Sequence, residues 1–299
     1  MLTVAHISKN FGTLQALKDV TFDVHDGEIM GLIGQNGAGK STTFHSILNF
    51  LKFDGQITWN GQSLTADDYN QIGYLPEERS LMPKLTITQQ IVYLARLKNQ
   101  PAKVIKPKVS DWMQRFAVKG QPNDKISKLS KGNQQKVQLI CTLIHDPQLI
   151  ILDEPFSGLD PVNSDLLKQA IIAAKKRGAA IIFSSHDMSN VEEVCDSLVM
   201  LRNGEVVLKG KINDVRNQFG RTRLFLTTDW TAEQLAALPN VGAVKSLGDH
   251  RYRLQLTDAN AGEAIFDAVT AGHYIQEFSQ QPPTLDEIFR TEAGGVDHE

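Results

Sequence analysis

The stretch Gly34-Gln35-Asn36-Gly37-Ala38-Gly39-Lys40-Ser41 matches every defined position of the phosphate-binding pattern GxxxxGK[ST]. Glycines let successive backbone N–H groups turn inward around phosphate oxygens, where side chains would block the approach. We expect Lys40 to reach the β- and γ-phosphates and the hydroxyl of Ser41 to bind Mg²⁺. The stretch therefore predicts a site for a nucleoside triphosphate.

The segments on either side of this loop have the pattern that such a site needs. Residues 29–33 form a continuous apolar run of strand length. After the loop, apolar residues recur at helical spacing at Phe44, Ile47, Leu48 and Leu51. A strand, a glycine loop and a helix N-terminus together form an anion site. The alternative is a glycine-rich turn that matches the pattern by chance, and it is disfavoured because all eight positions and both flanks fit.

The 299-residue chain has the composition of a globular protein, with 41% hydrophobic and 22% charged residues. It contains no apolar run of about 18 residues, the length that predicts a membrane span, and its first residues lack the layout of a signal peptide. A net charge of −3 argues against general nucleic-acid binding. We expect Cys141 and Cys195 to be buried thiols rather than a disulfide or a metal pair.

Charge is unevenly distributed along the chain. The part from Arg221 onward has 6 basic and 12 acidic side chains, a net charge of −6. The preceding part has 25 basic and 22 acidic side chains, a net charge of +3. This shift predicts a nucleotide-binding domain over residues 1–220 and an accessory domain over residues 221–299.

Buried strands alternate with helices in the first of these domains. Residues 149–152 and 179–183 are apolar runs typical of strands that are buried on both faces. The apolar positions between 166 and 174 predict a crossover helix between them. This order predicts an α/β fold with a parallel core sheet, as in phosphate-loop NTPases.

The tail from residue 221 to residue 280 has its own pattern. Strand and helix signals follow in the order β-α-β-β-α-β, which predicts a small α+β domain of the ferredoxin-like kind. Residues 274–278 are the predicted last strand, and 284–290 a short closing helix. Residues 293–299 are predicted to be frayed. The tail has no nucleophile or glycine loop, so we expect it to serve interaction or regulation.

A pair of acids follows the apolar run at 149–152. Asp153 stands where an acid at the end of a buried strand can hold Mg²⁺ through water. Glu154 points the other way from the strand and can polarise a water toward the γ-phosphorus. The alternative is a surface acidic pair, but the phosphate loop creates a need for these two acids. Ligands bind at the carboxyl ends of strands in such sheets, where His186 is also expected.

At Leu129-Ser130-Lys131-Gly132-Asn133 the sequence resembles the LSGGQ signature of ATP-binding-cassette (ABC) ATPases, the motor subunits of ABC transporters. Ser157-Gly158-Leu159-Asp160 matches the D-loop of that family, and Ser184-Ser185-His186 matches its switch histidine. Phe11 stands where the family places an aromatic that stacks on adenine. The motifs follow in the family's order from residue 2 to about residue 210.

The resemblance implies a parallel core sheet, an antiparallel β subdomain and a helical subdomain, with a role for each motif residue. The residues expected at the nucleotide are Phe11, Gly34, Asn36, Gly37, Ala38, Gly39, Lys40, Ser41, Thr42, Glu77, Ser130, Gly132 and Asp160. The residues expected to be catalytic are Lys40, Glu154 and His186, and those expected at Mg²⁺ are Ser41, Glu77 and Asp153. Ser130 and Gly132 would bind the ATP of the opposite subunit in a homodimer or pseudo-twofold pair.

Two of these residues have simpler alternative explanations. Ser130 could be only the cap of a structural helix, since serine is a preferred N-cap residue. Phe11 could be an aromatic residue of the core. His186 alone would be weak evidence for the resemblance. The motifs together are stronger evidence than any one of them.

The sequence departs from the family pattern at three positions. Lys131 replaces a glycine and Asn133 a glutamine of the signature, and the shorter amide predicts a weaker contact across the subunits. Glu77 stands where glutamine is usual. A carboxylate there would bind Mg²⁺ more strongly and add negative charge beside the γ-phosphate. We therefore predict slow basal hydrolysis and an altered metal preference.

These departures and the segment 284–289 resemble a bacterial subgroup of export ATPases, of the sodium-extrusion and drug-resistance kind. The resemblance implies a peripheral ATPase at the cytoplasmic face of the cell membrane that drives an integral membrane subunit. The partner would dock near residues 77–83 and along the helical region up to Lys128. The alternative is a cassette ATPase of a cytosolic assembly machine without a membrane partner.

Other nucleotide-dependent classes fit the sequence less well. Translation ATPases of this family usually carry two cassettes, and this chain has one phosphate loop. Chromosome and repair ATPases carry long coiled coils or zinc cysteines. A GTPase is disfavoured because there is no Asn-Lys-x-Asp stretch.

Overall fold

The computed structural model describes residues 1–78 and 80–292, and the chain divides into two compact units, Met1–Gly210 and Lys211–Glu299. This division falls ten residues before the domain boundary that the sequence predicts after residue 220. That domain boundary stays a prediction. Arg79 in the predicted docking segment and the predicted frayed end at 293–299 lie outside the described residues.

The first unit contains two sheets and seven α-helices among its described residues. Its strands are β1 Leu2–Phe11, β2 Leu14–Val24, β3 Ile29–Ile33, β4 Asp54–Trp59, β5 Gln62–Ser63, β6 Ile72–Leu75, β7 Leu149–Leu152, β8 Ala180–Ser185, β9 Ser197–Arg202 and β10 Glu205–Lys211. Its helices are α1 Lys40–Ile47, α2 Ile87–Leu97, α3 Ala102–Ile105, α4 Val109–Arg115, α5 Lys131–Leu143, α6 Pro161–Lys176 and α7 Met188–Val194.

The larger sheet has six strands in the order β10-β9-β3-β8-β7-β6. The pairs β3/β8, β3/β9, β7/β8 and β6/β7 are parallel. Strands β3 and β7 are apolar and completely buried, as expected of parallel strands covered on both faces. Because these strands run the same way, the segments that follow β3, β7 and β8 meet at one edge of the sheet.

The smaller sheet is antiparallel, in the order β2-β1-β4-β5. One hydrophobic core joins both sheets around α1, whose Phe44 and Ile47 are 0% exposed. The helix ends earlier than predicted, at Ile47, because Asn49 adopts a left-handed φ of 57° and turns the chain. Leu51 therefore lies outside the helix.

The second unit has four strands and four α-helices in its described part. These elements are α8 Ile212–Gln218, β11 Arg223–Thr227, α9 Ala232–Ala236, β12 Val241–Gly248, β13 Arg251–Leu256, α10 Gly262–Thr270, β14 Phe278–Gln281 and α11 Leu285–Glu292. The antiparallel sheet has the order β12-β13-β11-β14, which confirms the ferredoxin-like prediction. The predicted last strand at 274–278 is wrong, because pairing with β11 begins only at Phe278 and Tyr274 is 89% exposed.

The structure bears on two further expectations from the sequence. No helix in the described ranges is both long and apolar enough to cross a membrane. Cys141 and Cys195 are both free, and burial raises the pKa of the Cys141 thiol to about 12. Cys195 is half-buried as a residue, and burial of its thiol raises the pKa of that group well above its usual value.

Candidate active site

The phosphate loop runs from the end of β3 to the start of α1. Gly39 immediately precedes the helix with a φ of 112°, and a Cβ there would come within 2.8 Å of a methyl group of Leu17. Gly37 has a φ of 82°, but a Cβ there would meet no atom within 4 Å. Only glycine adopts both conformations without strain. The exposed crest of the loop, Gln35–Gly37, thus stays open to a ligand.

Lys40 is held against the inner side of this loop. Its side chain is buried, and Nζ donates hydrogen bonds to the carbonyl oxygens of Gly34 at 2.7 Å and Gln35 at 3.3 Å. Within the described ranges no carboxylate forms an ion pair with it. Its positive charge is therefore available to a phosphate group, which would bind it with a charge-assisted hydrogen bond.

Asp153 follows β7 and is the most buried acid at this edge of the sheet, with 4% exposure. The hydroxyl of Ser41 donates to its Oδ2 at 3.0 Å, and the hydroxyl of Ser184 donates to its Oδ1 at 2.7 Å. Hydroxyl and carboxylate oxygens are the ligands that Mg²⁺ prefers, so Ser41 and Asp153 could hold this ion together.

These two protein ligands suit a Mg²⁺ ion that is also bound by the phosphate oxygens of a nucleotide. No group of three or more His, Cys, Asp or Glu that could enclose a metal occurs in the described parts of the chain. Mg²⁺ keeps several waters and is commonly bound by one or two protein ligands plus phosphate oxygens. The pair of Ser41 and Asp153 suits that arrangement.

Glu154 is turned away from Asp153 by its backbone. It adopts a left-handed φ of 47°, a conformation that a residue other than glycine takes at a cost of about 1–3 kcal/mol. Its N–H donates to the hydroxyl of Ser184 at 2.8 Å, and its Oε2 lies 2.9 Å from Nδ1 of His186. The Glu154 side chain is 10% exposed, whereas that of His186 is 66% exposed. The acid is thus fixed, and the imidazole faces solvent.

Ser184 makes contacts at this site that sequence reasoning missed. It is the penultimate residue of β8, its hydroxyl donates to Asp153 and accepts from the N–H of Glu154, and it is 0% exposed. One hydroxyl therefore sets the positions of both acids. The sequence does contain a signal for these contacts, because the serine pair Ser184-Ser185 closes a strand whose other residues are apolar.

Phe11 lies at the end of β1, away from the core. Its ring is 46% exposed, which excludes the alternative that it is a core aromatic. Nζ of Lys9 lies 5.0 Å from the ring centroid, and an aromatic face of this kind can stack on a base.

Ser130 is the N-cap of α5, so the capping explanation describes part of its role. Its Oγ accepts from the N–H of Asn133 at 3.4 Å and from Nδ2 of Asn133 at 2.9 Å. The Asn133 side chain also accepts from the N–H of Lys119 at 2.8 Å, so the shortened amide is used within its own chain. Ser130 is exposed, and a Cβ at Gly132 would meet nothing within 4 Å. Packing therefore does not require the glycine, and the space beside it is open.

The structure does not bring every predicted site residue to one place. Lys40, Ser41, Asp153, Glu154 and His186 lie together, whereas Ser130 and Gly132 begin a separate helix and make no hydrogen bond with the phosphate loop in the described ranges. Asp160 caps α6 by accepting from the N–H of Asn163 at 2.9 Å.

Glu77 follows β6 and is exposed, without a hydrogen bond from its side chain to the described residues. It nevertheless belongs to the electrostatic surroundings of the site. Burial, the charge of Asp153 and the charge of Glu77 together raise the pKa of Tyr74 to about 12. This raised pKa keeps the phenol protonated, and its hydroxyl lies 3.4 Å from Nε2 of His45.

Two glutamines of α5, which sequence reasoning also missed, contact the loops around the site. Nε2 of Gln138 donates to the carbonyl of Glu78 at 3.3 Å, in the segment that carries Glu77. Nε2 of Gln135 donates to the carbonyl of Ser157 at 3.1 Å, after Glu154. Because positions 135 and 138 share a helix face, one helix contacts both loops.

Comparison with known proteins identifies the family to which the chain belongs. The family model for the ABC transporter matches residues 17–157, and the model for the C-terminal domain of DrrA1-3-like ATP-binding proteins matches residues 210–293. The chain is 40% identical over 297 residues to the uncharacterized ABC transporter ATP-binding protein YhaQ of Bacillus subtilis (strain 168), covering 99% of each chain. It is 43% identical over 264 residues to the uncharacterized ABC transporter ATP-binding protein BpOF4_11395 of Alkalihalophilus pseudofirmus, covering 88% and 98%.

A solved structure agrees with these relatives. The structure of an ATP-binding subunit of an ABC transporter has a TM-score of 0.69 and 35% identity, and the match covers 73% of this chain and 93% of that one. The chain therefore belongs to the ABC transporter ATP-binding proteins, and its first unit has the phosphate-loop cassette fold. It is a nucleotide-binding ATPase with a DrrA-like C-terminal domain.

Proposed function

We propose that this chain hydrolyses ATP with Mg²⁺ to drive an export-type ABC transporter. The observation that carries the proposal is the position of Ser184, which binds both Asp153 and Glu154 beside the phosphate loop. Ser41 and Asp153 would hold Mg²⁺, which neutralises charge on the phosphates when bound. Glu154 would orient and deprotonate the attacking water, and His186 would hold Glu154 and contact the γ-phosphate.

The exposed N-terminus of α5 supports pairing of two subunits. Ser130 and Gly132 offer a hydroxyl and open backbone N–H groups, which suit a phosphate. Within the described residues this surface makes no hydrogen bond with the phosphate loop of its own chain. We propose that it binds ATP held by a second copy or a pseudo-twofold partner, in an isologous pair.

A groove on the helical part of the first unit supports docking of a membrane subunit. The groove has a volume of about 580 Å³ and is lined largely by apolar atoms of Leu85, Val92, Tyr93 and Leu97. Tyr93 is 44% exposed and Leu97 is 60% exposed, which is unusual for large apolar side chains of one helix. We propose that a helix end of an integral membrane subunit occupies this groove at the cytoplasmic face of the membrane.

The export direction is proposed from the resemblance to the sodium-extrusion and drug-resistance subgroup together with the DrrA-like C-terminal match. In this proposal residues 1–220 form the ATP-binding domain and residues 221–299 an accessory domain.

The proposal is tested by mild-detergent purification of the tagged chain from its native membranes, followed by mass spectrometry. We expect a stoichiometric polytopic membrane protein that is lost when Leu97 and Tyr93 are replaced by Glu. A matched variant, Val162→Glu, changes another exposed apolar residue and should keep the partner. Recovery without any membrane protein would instead support the alternative, an ATPase of a cytosolic assembly machine.

A further inference from the structure

The sheet of the second unit has two chemically different faces. On one face Leu224, Leu226 and Leu254 are 0% exposed and pack with residues of α9 and α10. Because side chains alternate along a strand, Arg223 and Arg253 point to the other face. A cavity of about 800 Å³ opens there, beside α11.

Arg223 is the unusual residue of this cavity. It is 9% exposed, and its guanidinium carbon lies 5.1 Å from the ring centroid of Phe225. Its Nε is 3.4 Å from Oε2 of Glu287, but the contact lacks hydrogen-bond geometry, and no described residue accepts a hydrogen bond from it. An arginine carries five N–H donors, and buried donors are nearly always paired. The buried Nε–H of Arg223 therefore lacks the hydrogen-bond acceptor that such a group normally has.

The charges on the cavity wall do not balance. The Glu287 carboxylate is shared between Arg223, Nη1 of Arg253 at 3.4 Å and the backbone N–H of Thr284 at 2.9 Å. Arg290 pairs with Asp286 at 2.9 Å. Among the described residues, three arginines and two acids therefore line the cavity, an excess of one positive charge.

We propose that this cavity binds an organic anion, whose phosphate or carboxylate oxygens accept hydrogen bonds from Arg223 and Arg253. The planar fork of arginine matches both oxyanions. The volume lies within the range of about 300–1,000 Å³ typical of small-molecule sites and exceeds the needs of an inorganic ion. The anion can be a free metabolite-sized molecule or the headgroup of an anionic lipid. The accessory domain thus has a ligand site separate from ATP hydrolysis.

The test uses the full chain with Lys40→Ala, so that the phosphate loop does not bind the probe. Calorimetric titration with citrate and with inorganic phosphate is compared with sedimentation on phosphatidylglycerol vesicles, with phosphatidylcholine vesicles as the neutral control. We expect saturable binding in at least one anionic arm, weakened about tenfold or more by Arg223→Gln and by Arg253→Gln. Arg221→Gln, an exposed arginine outside the cavity wall, should bind as the parent does.

The arms separate the two sources of the anion. Binding of citrate or phosphate indicates a free ligand, whereas binding to phosphatidylglycerol vesicles alone indicates a lipid headgroup. If Arg223→Gln fails to fold, the more exposed Arg253 decides the result. Absence of saturable binding in every anionic arm, or binding unchanged by Arg253→Gln, would overturn the proposal.

Discussion

Nδ1 of His186 lies 2.9 Å from Oε2 of Glu154, and the glutamate is the buried member of the pair. A proton on Nδ1 would be donated to the carboxylate, which leaves Nε2 on the exposed side of the ring. The imidazole can thus hold the acid with one nitrogen while the other is free to contact a phosphate.

The first prediction concerns Glu154 as the base. Glu154→Gln should lower ATP turnover at least about 100-fold, because an amide cannot accept the proton of water. ATP affinity should stay within a few-fold, and the ATP-bound pair of subunits should persist. Turnover is measured by phosphate release and pairing by gel filtration with ATP. Glu205→Gln, an exposed acid paired with Lys18, is the control. Wild-type turnover in Glu154→Gln would refute the assignment.

The second prediction concerns Ser184. Ser184→Ala removes the donor to Asp153 and the acceptor of the Glu154 N–H in one step. We expect a loss of about 1–3 kcal/mol of stability and a fall of at least about tenfold in kcat. Urea unfolding and steady-state kinetics measure the two effects. Ser197→Ala, another buried serine on the same sheet, should lose stability but keep its kcat. Equal kinetics in both variants would contradict the role of Ser184.

The third prediction concerns Gln138 as a positioning residue. Gln138→Leu removes its hydrogen bond to the carbonyl of Glu78, a loss of about 1 kcal/mol. Because the bond joins α5 to the segment that carries Glu77, its loss should lower kcat about fivefold while KM for ATP changes less than twofold. Gln148→Leu, which replaces an exposed glutamine immediately before β7, is the control. An unchanged kcat in Gln138→Leu would exclude the coupling.

The fourth prediction concerns Glu77. Its carboxylate is exposed and without a hydrogen bond to the described chain, so it is free to approach a bound ion. Glu77→Gln should raise basal hydrolysis and reduce the difference between Mg²⁺ and Mn²⁺, because one negative charge beside the γ-phosphate is removed. ATPase rates in each metal measure this. Ordinary rates in both metals for both proteins would show that the departure from glutamine has no effect.

The fifth prediction is a pH dependence of stability. Burial, with the nearby charge of Lys98, lowers the pKa of His145 to about 4. The unfolded chain, with a histidine pKa of about 6.5, therefore binds more protons between these values, and stability falls as pH decreases through this window. We expect a loss of about 2 kcal/mol between pH 7.5 and pH 5. Urea unfolding at both pH values should show this loss in wild type and in His25→Gln, but not in His145→Gln.

The sequence was most informative where a local pattern has one physical explanation. The glycine loop and the acids after 149–152 stand at strand ends, and parallel strands bring such ends together. Long-range pairings had no local signal. The bond between Ser184 and Asp153 joins residues 31 positions apart. The edge strand β14 was misplaced because Tyr274 and Ile275 look more strand-like than Ser279 and Gln280, which pair with β11.

The exposed N-terminus of α5 has a consequence for pairs that combine a wild-type copy with an altered copy, because each copy would contribute to both ATP sites. If each ATP is bound by the phosphate loop of one copy and by Ser130 and Gly132 of the other, a single altered signature damages a site whose Glu154 is intact. A faulty copy would then be dominant in a mixed population. Two different faults, one in the signature and one in the phosphate loop, would leave one intact site in a pair that combines them.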